Sequence, residues 1–193
     1  MITREEMESS FDSESVDIMP PDVAECYFNH PGERRILAEV GLPHGLMGLV
    51  IFGYIGTELP RTVAQVLDIG EPDAIPLDIR EDIVIANGMG GLACLSRTEG
   101  HVYWYAPKGD ELNYALINSS LELFVETVCH VWMHLKEVIL GHSADEEGSE
   151  AEIGEELRRL VAEVRTIDPP SFESPAMYWQ HVMLFALRSL AED

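Results

Sequence analysis

The chain has 193 residues, with 12 basic and 35 acidic side chains and a net charge of −23 when histidine is neutral. That charge argues against a nucleic-acid reader, which needs a supply of Lys and Arg, and against binding to an anionic membrane surface. Hydrophobic residues make up 46% of the chain. This is enough for a core, so wholesale disorder is excluded, and the length fits one domain with appendages.

Cys26, Cys94 and Cys129 are odd in number, widely spaced and form no CxxC pair. The pattern fits reduced thiols rather than a disulfide framework. The first residues, MITREEMESSFDSES, contain no apolar core of a signal peptide. The longest apolar stretch, LMGLVIFGYIG, is broken by glycines and too short to span a bilayer. The expectation is a cytoplasmic protein.

In chain order, residues 1–14 read as an acidic, flexible N-terminus, and residues 15–193 as a single domain. SVDIMP opens a strand. Pro31 sits at the first position of a short helix that Gly41 ends. LVIFGYI at 49–55 reads as a strand, and LPRTVAQVLDIG as either a turn of helix or a loop. From 75 to 117, short strands alternate with turns: IPLD, DIVIANG, GLACLS, HVYWYAP and LNYALIN, separated by RTEG and KGDE. Such runs form antiparallel hairpins. Alternation puts Val102 and Trp104 on one face and Tyr103 and Tyr105 on the other.

Residues 119–140 carry the clearest helical pattern. Leu121, Val125, Val128, Trp132, Leu135 and Ile139 make an apolar stripe, widened by Phe124, Val131 and Val138. Ser119 and Glu122 have capping-box spacing. An acidic linker at 142–151 leads to a helix at about 152–166. After the turn DPPSFESP, a last helix runs from Pro175 to about Leu190, with Ser174 as its cap. Segregated strands and helices indicate an α+β fold.

Catalytic and cofactor chemistry finds little support. His130 and His134 share a helix face, but no HExxH accompanies them, so surface or packing roles are the simpler reading and no metal is assigned. Cys94 in LACLS reads as a small core residue. The glycines of NGMGG precede a strand, not a helix, and lack the Lys-Ser/Thr of a phosphate loop. They read as a turn with positive φ. The expectation is a chain that is not an enzyme and carries no cofactor. The acidity exceeds the roughly 2–8 charges that solubility needs. It would speed encounter with a basic partner, although solvated faces are the ordinary alternative.

The segment from Ile83 to Val128 resembles the SUKH superfamily. The resemblance rests on the order of Ala86-Asn87-Gly88, Leu92 to Leu95, Gly100-His101-Val102 and Asn118 to Val125, with VGLP at Val40 to Pro43 before them. The two added C-terminal helices, with Tyr178-Trp179, are most similar to the fourth SUKH subgroup. The family implies an antiparallel-rich mixed sheet flanked by helices. Its members include fungal cell-wall-synthesis regulators and bacterial immunity proteins encoded beside polymorphic toxins, often nucleases or nucleic-acid deaminases. The acidic residue common in the family after the glycine turn and at the end of the next strand is absent at Gly91 and Ser96, and no contact residues carry over. The resemblance implies an immunity protein that binds and occludes a cognate toxin, with a basic toxin suiting the charge. The alternative is a regulatory scaffold for an endogenous protein. Candidate contact residues, on one strand face and its turns, are Tyr103, Tyr105, Glu99, Asp110 and Glu111.

Overall fold

The structure is a computed structural model and describes residues 2–47, 49–52, 59–67, 75–108, 111–141, 150–173 and 178–192. The N-terminal residues are helical and not a loose tail: α1 spans Arg4–Phe11. Thr3 caps it through a reciprocal pair of bonds, the Glu6 N–H to Thr3 Oγ1 at 3.3 Å and the Thr3 N–H to Glu6 Oε2 at 2.8 Å. Met7 and Phe11, one turn apart, are buried. The Phe11 ring stacks on Trp132 at 5.6 Å, and the Trp132 indole N–H donates to the Ser10 carbonyl. Apolar anchoring at this spacing outweighs the acidic composition.

A two-residue strand β1 (Val16–Asp17) pairs with β2 (Leu42–Pro43). Between them lie α2 (Pro21–Tyr27) and α3 (Pro31–Arg35), and α3 continues as a wider π-helical turn to Val40. Gly41 ends that turn at φ +91°, its N–H donating to the Ile36 carbonyl. Only glycine fits there, because a Cβ would press on Val16 and the Asp17 carbonyl.

The main sheet has six strands in sequence order: β3 (Gly45–Leu46), β4 (Val50–Ile51), β5 (Ile83–Gly88), β6 (Gly91–Leu95), β7 (Val102–Lys108) and β8 (Glu111–Asn118). Every pairing among these described strands is antiparallel. The sheet is antiparallel because each strand pairs with its neighbour in sequence, and with its flanking helices it gives the expected antiparallel-rich α+β fold. α4 (Val63–Leu67) resolves the ambiguous segment as helix. The IPLD run forms turns rather than a strand, with the Ile79 N–H donating to the Pro76 carbonyl; Pro76 has no N–H to give a ladder.

Side-chain alternation divides the sheet between two apolar clusters. Ala93, Leu95, Val102 and Ile117 join the large cluster beneath α5 (Leu121–Gly141), α6 (Glu150–Ile167) and α7 (Tyr178–Glu192). Leu92, Cys94 and Tyr105 join a small cluster with Val63, Ile75, Ile79 and Val84 on the other face. On α5 the expected stripe is buried from Leu121 to Leu135, with Trp132 and Val138 partly covered; the Ile139 side chain lies outside the described residues. The hydroxyl capping α5 belongs to Ser120, which accepts from the Leu123 N–H at 3.2 Å; Ser119 and Glu122 instead bond to Asp168 and Arg35. Most of the acidic linker, residues 142–149, and the expected cap at Ser174-Pro175 lie outside the described residues.

Candidate protein interface

Strand β7 places the aromatic run. Val102 is buried and Trp104 packs on the large cluster, touching Tyr178 at 4.9 Å between ring centres. Tyr103 and Tyr105 share the opposite face, their rings 6.2 Å apart. The two tyrosines then diverge. Tyr105 is only 1% exposed, and its hydroxyl donates to Asp82 Oδ2 at 2.8 Å. It is therefore a core residue and not a contact residue, because Val63, Ile75 and Ile79 cover it from segments distant in sequence. Burial and the neighbouring Asp82 carboxylate push the Tyr105 phenol far above its ordinary value. Burial also raises the Asp82 carboxyl, against the bonds it accepts from Tyr105 and the Arg97 N–H.

Tyr103 stays at the surface. Its hydroxyl donates to Glu99 Oε2 at 2.5 Å, and His101 Nδ1 lies 3.6 Å from the same oxygen. Partial burial, then the bond to Glu99, holds the Tyr103 phenol protonated well above its usual range. Glu99 stands on the turn between β6 and β7, which the Ser96 N–H and the His101 carbonyl close at 2.8 Å. Gly100, at φ +72°, turns the chain into β7.

Tyr114 belongs to the same patch and was missed in the sequence. It is 67% exposed, lies directly opposite Tyr105 in the ladder and meets the Tyr103 ring edge-on at 6.1 Å. Of the other two expected residues, Glu111 pairs through its backbone with Lys108 but its side chain is outside the described residues, as is Asp110 entirely. The face that can be described is thus Tyr103, Tyr114, Glu99 and His101.

The other candidate chemistries find structural positions. His130 Nε2 lies 3.1 Å from Glu163 Oε2. His134 Nε2 lies 2.6 Å from Glu156 Oε1, without the alignment of a hydrogen bond. Both histidines thus face carboxylates of α6, and among the described residues no group of three or more His, Cys, Asp or Glu is placed to hold a metal ion. Gly88, Met89 and Gly90 have positive φ, so NGMGG is the β5–β6 turn. The three cysteines are free, with Cys94 and Cys129 buried, and burial raises the Cys94 thiol well above its ordinary value. No helix among the described residues is long and apolar enough to cross a membrane.

No curated protein and no solved structure matches the chain. A family model described as SUKH-4 immunity protein matches residues 2–185. That span takes in α1, the sheet, α5, α6 and part of α7, as the fourth-subgroup resemblance implied. The chain belongs to the SUKH-4 immunity protein family.

Proposed function

We propose that this chain neutralises a cognate toxin by binding it and covering its working surface, and that the toxin is a basic protein of nuclease or nucleic-acid-deaminase type. Membership of an immunity-protein family supplies the toxin as partner. The observation that carries the surface assignment is the pair of half-buried Tyr103 and exposed Tyr114, with Glu99 bonded to Tyr103. Tyrosine pairs give large contact area with little side-chain entropy to lose, and they are enriched where interfaces hold most of their affinity. An acid at their edge suits an incoming Lys or Arg, whose cation also favours the ring faces. The net charge of −23 would steer such a partner. A standard interface of roughly 1,600 Å² would reach well beyond these residues. In this reading the chain acts by occupancy and turns nothing over.

The test is co-expression with the toxin encoded beside this chain. The intact chain is expected to form a complex and rescue growth, and a Tyr103→Ala, Tyr114→Ala double variant to lose both. Absence of any complex, with an endogenous protein co-purifying instead, would favour the regulatory scaffold.

A further inference from the structure

Strand β8 closes one side of the six-stranded sheet, and its outer edge pairs with no strand among the described residues. Such an edge presents N–H and C=O groups at strand spacing, and proteins blunt it by a short strand, a charge, a proline or a cover. The opposite edge is blunted by length, because β3 has two residues. β8 has eight, ELNYALIN, with no proline and no charge after Glu111. Its last two residues are covered: the Trp179 indole N–H donates to the Ile117 carbonyl at 3.0 Å, and Asn118 Nδ2 donates to Asp168. Leu112 to Leu116 keep neither charge nor proline, and within that stretch Asn113 and Tyr114 are exposed. The edge is continuous with the tyrosine face. Tyr114 stands opposite Tyr105 and Leu116 opposite Tyr103, so both point to the same side as those tyrosines.

We propose that the toxin engages this edge with an extended segment of its own, which adds to β8 as a further strand and lays alternate side chains beside Tyr114 and Leu116. The proposal rests on the reading that this chain binds a toxin, and it specifies the backbone geometry of that contact. The edge itself selects the kind of occupant. Donors and acceptors spaced along a strand are matched by another extended backbone, whereas a helix bonds its own groups internally. A second copy of this chain also offers a strand, but each copy carries a charge of −23, and like charge opposes the pairing. A basic toxin meets attraction instead. A Lys or Arg beside Tyr114 would lie against a ring that is largely exposed.

The test is amide hydrogen exchange, read residue by residue, on the free full chain and on its complex with the toxin encoded beside it. In the free chain, amides from Leu112 to Leu116 should alternate, slow where the N–H is directed at β7 and fast where it is directed outward. In the complex the fast set should slow about tenfold or more, while the slow set changes little. Uniformly slow exchange in the free chain would mean that the edge is already covered, and would overturn the proposal. A complex that Tyr103→Ala weakens but in which the fast amides stay fast would also overturn it, and the tyrosine surface would then stand alone. Slowed amides in a complex indifferent to Tyr103→Ala would uphold the strand contact and remove the tyrosine surface. Slowing in the free chain as its concentration rises, together with a dimer in sedimentation, would make a second copy the occupant and overturn the proposal. Absence of any complex would overturn both readings.

Discussion

Ser119 and Asp168 are joined by two hydrogen bonds, the Ser119 N–H to Oδ2 at 2.6 Å and the Ser119 hydroxyl to Oδ1 at 2.7 Å. Asn118 Nδ2 adds a third to Oδ2 at 3.0 Å. Asn118 Oδ1 in turn accepts from the Trp179 indole N–H at 3.0 Å. One buried carboxylate thus ties the end of β8 and the entry to α5 to the segment after α6, and Asn118 extends the tie to α7. Asp168 and Asn118 are almost fully buried, so every partner lost there leaves a group that water cannot reach.

Asp168→Ala is accordingly expected to destabilise the chain by about 3 kcal/mol or more, since it strands several buried donors at once. Asp168→Asn, which keeps one acceptor, should fall between. Urea unfolding of the three proteins checks the order. A loss within about 1 kcal/mol for the alanine variant would mean that the Asp168 bonds contribute little to holding the C-terminal helices.

Glu33 gives the pH dependence. It is buried, its Oε1 has no hydrogen-bond partner, and its Oε2 accepts only a long bond from the His30 N–H at 3.4 Å. Burial raises its carboxyl above the ordinary value, against smaller lowering effects from His30 and Arg34. A folded-state value above the unfolded one means that the folded chain holds this proton more tightly. The ionisation penalty is absent below the unfolded value, grows through the window between the two, and is complete above the folded value. Glu33→Gln removes it, because a neutral amide costs less to bury than a carboxylate. The variant should unfold at higher temperature than the parent near neutral pH, with the gain vanishing as pH falls below the carboxylate range. A difference independent of pH would show that the carboxylate is not the cause.

Local signals were legible where the structure depends on neighbours in sequence. Alternation in HVYWYAP correctly separated Val102 and Trp104 from Tyr103 and Tyr105, and counting back across KGDE would also have set Tyr114 opposite Tyr105. The burial of Tyr105 was not legible, because its cover comes from Val63, Ile75 and Ile79, and nothing near β7 announces them. The cap of α5 slipped by one residue for the same reason: Asp168, 49 residues away, takes the Ser119 hydroxyl. The N-terminus is a different failure. Thr3 and Glu6 have capping-box spacing and Met7 and Phe11 helical spacing, but the run of acids hid both.

The strand face separates affinity from stability. Tyr103→Ala and Tyr114→Ala should each weaken toxin binding about tenfold or more. Tyr114→Ala should barely move thermal unfolding, since its ring reaches solvent, whereas Tyr103→Ala should also cost some stability, because Tyr103 is half-buried against the small cluster. Tyr105→Phe should do the reverse, lowering stability by about 1–2 kcal/mol by removing the bond to buried Asp82 while leaving affinity intact. Glu99→Lys should slow association at low salt, with the difference shrinking as salt rises. Calorimetry and stopped-flow on the purified complex measure all four. Loss of affinity in Tyr105→Phe without loss in Tyr103→Ala would move the interface elsewhere.

The thiols should differ sharply in reactivity. Cys26 is exposed, whereas Cys94 and Cys129 are buried, and burial, followed by the nearby Glu126 and Glu6, pushes the Cys129 thiol up to about 12. Thiolate is the reactive form, so both buried thiols are protected by access and by protonation. Titration with a disulfide reagent should show one fast equivalent in the native chain and the remainder only on adding denaturant. A second fast thiol identified as Cys129 would show that the α1–α5 contact opens, because Cys129 Sγ sits 3.7 Å from Met7 Sδ under α1.

The β5–β6 turn distinguishes strain from collision. Gly90 lies at φ +78° with nothing within 4 Å of where a Cβ would stand. Gly90→Ala therefore meets only the left-handed backbone cost, about 1 kcal/mol. Gly88 lies at φ +149°, and there a Cβ would overlap the Leu49 carbonyl oxygen. Gly88 also pairs with Val50, so the overlap cannot be relieved without parting β4 from β5. Gly88→Ala should cost upward of about 3 kcal/mol, in the range of changes that force packed backbone apart. Because β3 is held to the sheet through β4, the loss should expose the amides of both strands to hydrogen exchange. Equal costs for the two substitutions, with no change in exchange at Val50 and Ile51, would mean that the close approach of Leu49 to Gly88 does not hold in solution.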